Sequence, residues 1–88
     1  GNTNAMNNLG YCFYFGKGVE KNFLKSFEFH MMAANEGNLG AQYNIGYFYK
    51  NGIGIEKDIN KAIEYFTLSA NQGYLPAQYS LGKIYHYG

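Results

Sequence analysis

Two histidines, one cysteine and six carboxylates are among the side chains of this 88-residue sequence that could carry acid–base or nucleophilic chemistry. Proton transfer needs a positioned partner within hydrogen-bond reach, and a thiol nucleophile needs a base beside it. His30 and His86 have no serine, cysteine or carboxylate at a telling position, and Cys12 falls at a register filled elsewhere by Phe48. All three read as packing or surface residues. Gly16-Lys17-Gly18 and Gly52-Ile53-Gly54 have the look of a phosphate cradle, but such loops follow a strand and open a helix, whereas these follow a helical segment. Glu20, Glu28, Glu56 and Glu64 recur in register, and catalytic groups are normally unique within an array. The sequence therefore points to no catalytic residue, no cofactor site and no metal-ligand set, and the chain is read as a non-enzyme.

Composition narrows the field further. Hydrophobic residues make up 47% and aromatic residues 19% of the chain, too much for a disordered segment. Seven basic and six acidic side chains leave a net charge of +1 with no like-charge run, so neither nucleic acid nor an anionic membrane is an expected partner. A single cysteine excludes an intramolecular disulfide. No apolar run reaches the roughly 18 residues of a spanning helix, and no signal segment opens the chain. Cysteine usage favours the cytoplasm; a secreted or host-directed chain stays open, because a signal could lie upstream.

The elements that position these residues are set by an internal repeat. Residues 5–40 align with 41–76 at a shift of 36, and a third, partial copy spans 77–88. Gly10 falls on Gly46 and Gly82, Gly16 on Gly52, Gly18 on Gly54, Lys25 on Lys61, Glu28 on Glu64, Ala34-Asn35 on Ala70-Asn71, and Gly37 on Gly73. The array thus holds two and a third repeats. It begins and ends within the pattern, as expected of a fragment of a longer protein.

Each copy reads as two helices. In the second, Ala41, Ile45, Phe48 and Tyr49 recur at helical spacing and define helix A, which Asn51-Gly52 closes. Asp58, like Asn22 in the first copy, is placed to cap helix B, whose buried stripe is Ile59, Ala62, Ile63, Phe66, Ser69 and Ala70 and whose end is Gly73. Pro76 falls in the first turn of the third helix A, where a missing amide costs nothing. A glycine inside a helix costs about 1 kcal/mol relative to alanine, so Gly10, Gly46 and Gly82 need a compensating cause. Close approach of helices A and B supplies it, with Ala34 and Ala70 expected opposite and Phe13, Phe29, Tyr49 and Tyr65 filling the remaining volume. The fold class is all-α, an αα-hairpin solenoid or alpha-alpha superhelix.

The string Ala41-x-x-x-Ile45-Gly46-x-x-Tyr49-x-x-Gly52-x-Gly54-Ile55-x-x-Asp58-x-x-Lys61-Ala62-x-x-Tyr65-Phe66-x-x-Ser69-Ala70-x-x-Gly73 resembles the Sel-1-like repeat, and the other two copies follow it. The resemblance implies a tetratricopeptide-related helical array that acts as an interaction scaffold or adaptor, in signalling, protein quality control and host–microbe contacts. Phe29 or Tyr65 replaces a frequent tryptophan, Ser26 and Ser69 replace usual alanines, and Asn22 replaces the usual aspartate. Members with a disulfide in every repeat have a reported link to β-lactams, which does not transfer to a chain with one cysteine.

In related solenoids the A helices line the concave side, with free positions two, six and nine residues after the repeat alanine. Here these are Asn7, Tyr11 and Tyr14, then Tyr43, Tyr47 and Lys50, then Tyr79, Lys83 and His86. Tyrosine combines large area, few rotors and a hydroxyl, which suits protein interfaces. The expected partner is a protein or extended peptide with aromatic or acidic side chains. An alternative role for these rings is packing between successive A helices. Two other functions stay open: an accessory region of a larger enzyme such as a kinase, and homo-oligomerisation through Leu9 and Phe13 at one end or Tyr79, Leu81 and Tyr85 at the other.

Overall fold

The computed structural model describes residues 2–87, with the side chains of residues 3–86. Gly88, where the third copy stops, lies outside them. Five helices follow one another: α1 (Asn2–Phe15), α2 (Phe23–Asn35), α3 (Leu39–Asn51), α4 (Ile59–Ala70) and α5 (Leu75–Tyr87). Helices α1, α3 and α5 are the A helices of the repeats, and α2 and α4 are the B helices. Each packs on the next in sequence, giving a body of 38 × 27 × 16 Å. This is the αα-hairpin solenoid expected from the repeat.

The helix ends follow from local chemistry. Asn22 and Asp58 sit in extended conformation ahead of the B helices, and their side chains accept from Lys25 N (3.0 Å) and Lys61 N (3.1 Å). Asn38 caps α3 in the same way through Ala41 N. At the other end of α3, Gly52 takes φ 66°, a left-handed conformation with no penalty for glycine, and its N–H returns to the Phe48 carbonyl. The A-to-B loops are then tied back identically: Asn22 N donates to Phe13 O and Asp58 N to Tyr49 O, both at 2.9 Å. Helix α4 ends at Ala70, earlier than Gly73; Gly73, at φ 91°, instead carries the turn into α5.

Glycine lets helices A and B approach, but the groups facing it are rings. A Cβ at Gly46 would stand 2.7 Å from the Phe66 ring, and one at Gly10 would stand 2.6 Å from the His30 imidazole. The expected alanines do something else. Ala34 joins Ala33, Ala41 and Ile45 in one buried cluster, and Ala70 joins Ala62, Phe66 and Ala77 in another, so they seal successive repeats together. Beside each glycine, rings stack across the hairpin: Phe13 on Phe29 at 5.6 Å and Tyr49 on Tyr65 at 6.1 Å. Ile59 departs from the expected buried stripe; as the first residue of α4 it stands off the hairpin contact and is 38% exposed.

Buried polar groups lock this packing. Ser26 Oγ donates to Gly10 O (2.6 Å) and Ser69 Oγ to Leu39 O (2.9 Å), so both hydroxyls serve main-chain carbonyls on an A helix. Across the repeat junctions, Gln42 Nε2 donates to Ala34 O (3.3 Å) and Gln78 Nε2 to Ala70 O (3.0 Å). One amide per junction thus adds a second hydrogen bond to a carbonyl at the end of the preceding B helix, beside the one it accepts from Gly37 N or Gly73 N.

Candidate binding face of the A helices

Helical spacing puts Tyr11, Tyr14 and Phe15 on one face of α1, and Tyr43, Asn44, Tyr47 and Phe48 on one face of α3. With His30 of α2 these residues line a pocket of about 310 Å³ between the first two A helices. Its walls are aromatic. Tyr14 meets Phe48 edge-on at 5.9 Å, Tyr11 meets His30 edge-on at 4.9 Å, and Tyr43 lies tilted against Tyr47 at 6.5 Å.

Beneath the rings runs a polar network. His30 Nδ1 lies 2.6 Å from Asn7 Oδ1, and Asn44 Nδ2 donates to Tyr11 Oη (2.8 Å) and to Asn7 Oδ1 (3.4 Å). A carboxamide oxygen only accepts, so the short contact to Asn7 is a hydrogen bond in the tautomer that carries its proton on Nδ1; Nε2 lies against Gly10. His30 is 1% exposed, and burial lowers its pKa to about 4, leaving the ring neutral at physiological pH. It fills the place that Phe66 holds in the second repeat and braces the pocket from below.

Of the nine residues expected on this face, Tyr11, Tyr14, Tyr43 and Tyr47 meet in the pocket. Tyr11 and Tyr47 are about 40% exposed, whereas Tyr14 and Tyr43 are half-buried. Tyr43 also packs on Phe66 (5.6 Å) and Tyr74 (5.8 Å), so it serves the core as well. Asn7 lies in the network beneath, and Lys50 is half-buried one turn beyond the pocket-lining Tyr47. Tyr79, Lys83 and His86 do not reach the pocket: all three are exposed on α5, with Lys83 Nζ 5.3 Å from the Tyr79 ring centroid. Sequence reasoning missed Phe15 and Asn44. Asn44 falls three residues after the repeat alanine, between two free positions, and the Tyr11 hydroxyl it meets belongs to the preceding repeat, a contact that spacing along one helix does not reveal.

Other candidates for chemistry stay apart. Cys12 is a half-buried free thiol. Among the described residues no group of three or more His, Cys, Asp or Glu side chains could hold a metal ion, and no helix is long and apolar enough to cross a membrane. At the ends, Leu9 is 43% exposed, Tyr79 70% and Tyr85 67%. Phe13 and Leu81, expected there too, are half-buried: Phe13 stacks on Phe29, and Leu81 packs against the second core cluster.

Comparison with known proteins agrees with this architecture. The Sel1 repeat model matches residues 3–38, 39–74 and 75–88. Among solved structures, a Sel1 repeat protein from Oxalobacter formigenes superposes with a TM-score of 0.92 at 34% identity, covering 94% of this chain and 34% of that one. The protective antigen c5321 of uropathogenic Escherichia coli, which displays an SLR fold, gives a TM-score of 0.92 at 32% identity over 94% of this chain and 18% of its own. Helicobacter pylori cysteine rich protein B shares the fold at 24% identity, with a TM-score of 0.81 over 85% of this chain and 56% of that one. This chain therefore spans only part of the length of each. No curated protein matches the sequence significantly. Sel1 repeat proteins are in general protein-interaction scaffolds, and the fold is typically non-enzymatic. With the family model matched from residue 3 to residue 88, the chain belongs to the Sel1 repeat family.

Proposed function

We propose that this chain is a non-catalytic scaffold module that binds an extended peptide, or an exposed segment of a protein, along its A helices. The pocket between α1 and α3 carries the reading: a cavity walled by tyrosines and floored by a satisfied polar network accepts an apolar or aromatic side chain without exposing an unpaired group. Charge supports an acidic partner. All six carboxylates (Glu20, Glu28, Glu36, Glu56, Asp58 and Glu64) lie on B helices or in loops, while the A helices carry Lys50 and Lys83 and no acid. An aromatic anchor flanked by carboxylates therefore fits this face and no acidic group on it opposes entry.

The test is a titration of isotope-labelled protein with peptides holding one phenylalanine or tyrosine between acidic residues, against peptides with lysines in place of the acids. Shifts confined to α1 and α3, abolished in a folded Tyr11→Ala/Tyr47→Ala variant, support the reading. Shifts that map to the B helices, or that survive the double substitution, overturn it.

A further inference from the structure

The two B helices border a second cavity, of about 410 Å³, which shares no residue with the tyrosine pocket. It opens between the last turn of α2 and the middle of α4, and Gln42 of α3 forms part of its wall. Each of these three helices has both of its sequence neighbours packed on it. The cavity therefore belongs to the interior of the array and not to either end of the chain.

What surrounds it accepts hydrogen bonds and attracts positive charge. Gln42 is 3% exposed, and its Nε2 is committed to the Ala34 carbonyl at 3.3 Å. A carbonyl only accepts, so the other end of the amide is the oxygen, and among the described residues no donor reaches Oε1. A buried acceptor left without a donor is a cost that an N–H brought by a ligand relieves. Asn35 closes α2 at the cavity, which brings the negative end of that helix to it. Glu64 is the one carboxylate of the lining, and no lysine joins it there. Lys61, one turn earlier on α4, sets its ammonium 5.9 Å from the Tyr49 ring centroid instead. Tyr65 and the half-exposed Leu68 add an apolar wall, and at Gly37 no side chain narrows the opening.

We propose that this cavity binds the guanidinium group of an arginine carried by an extended segment of a partner protein. A guanidinium is a planar fork of N–H donors with no acceptor, the complement of a lining rich in acceptors. One N–H meets Gln42 Oε1, others meet the Glu64 carboxylate, and the methylene stem lies along Tyr65 and Leu68. The fork serves acceptors on two different helices at once, which a compact ammonium does less well. All seven basic residues of the chain are lysines, so a second copy of these residues brings ammonium and not guanidinium. The site does not depend on what occupies the pocket between α1 and α3.

The probe is acetyl-Gly-Arg-Gly-amide, titrated at low salt into the isotope-labelled whole chain, beside the same peptide carrying lysine or citrulline, the uncharged isostere of arginine. The arginine peptide should give saturable shifts at Asn35, Gly37, Gln42 and residues 64–68, with a Kd below about 10 mM. Citrulline should bind about tenfold more weakly and lysine about threefold. Gln42→Leu removes the orphaned oxygen, while the Ala34 carbonyl keeps its bond from Gly37 N (3.0 Å); Glu64→Gln changes an exposed position. Each should weaken the arginine peptide about fivefold, with helicity retained. Tyr47→Ala, which strikes the other pocket, should leave this binding unchanged. Absent shifts, shifts that map away from these residues, or binding that survives both substitutions overturns the proposal. Equal binding of citrulline overturns it too, since charge then plays no part, and so does equal binding of lysine, which a second copy also carries.

Discussion

The Phe66 ring occupies the space where any side chain at position 46 would begin: a Cβ there would lie 2.7 Å from Cδ1 and 2.8 Å from Cε1 of a ring that is 0% exposed. The ring has no room to retreat, so the helix tolerates glycine's intrinsic cost in exchange for contact along the hairpin.

The same residue type at the same register should respond oppositely in the second and third repeats. Gly46→Leu is expected to destabilise by about 1–3 kcal/mol or more through overpacking. Gly82→Ala, with nothing to meet, is expected to stabilise by up to about 1 kcal/mol, the helix-propensity difference. Urea unfolding of the two variants measures both signs, and a Gly46→Leu protein as stable as the parent would refute the packing account.

Acid should weaken the fold through His30. Its pKa is about 4 in the folded chain against an ordinary histidine value of 6.5, so below pH 6.5 the unfolded chain takes up a proton that the native imidazole refuses. The contribution is whole above that range and declines as pH falls towards 4, by at most about 3 kcal/mol. His30→Phe, which copies the second repeat, should flatten this window relative to the parent when urea midpoints are compared from pH 7 to pH 4. Parallel profiles would show that the imidazole titrates normally.

Tyr47→Ala and Lys50→Ala should change stability by no more than about 0.5–1 kcal/mol, as at other surface-facing positions, while weakening acidic aromatic peptides. Tyr43→Ala should cost about 2 kcal/mol or more, because its ring also packs on Phe66 and Tyr74. Thermal melts of the three proteins separate the two behaviours.

Ser26→Ala removes the donor to the buried Gly10 carbonyl and should cost about 1–3 kcal/mol. Ser26→Thr keeps the hydroxyl but adds a methyl group at a site with 0% exposure, so it should not restore full stability. Denaturation midpoints of the pair distinguish a lost bond from a lost fit.

The repeat register and helix ends were readable because their residues have narrow physical reasons to be there: Asn22 and Asp58 as caps, Gly52 at positive φ. The group facing each glycine was less so. Sequence spacing points to a small residue on the opposite helix, yet the space belongs to rings at positions 30 and 66, and only the approach of the two axes decides between them. Tyr43 and Tyr47 illustrate the same limit on the candidate site. They are one residue type, one turn apart on one face, and what separates their roles is the reach of Phe66 and Tyr74 from later helices. Ile59 looked like core by type and spacing, but as the opening residue of α4 it has little opposite it.

The glutamine ties at the junctions, Gln42 to Ala34 and Gln78 to Ala70, give the molecule a mechanical character. Each helix leans on its neighbour in sequence, and a glutamine bond closes each junction, so a pull applied at the two ends loads the junctions in series. Such a chain is expected to yield by peeling from its ends, one hairpin after another, and to reseat in the reverse order when the tension is released.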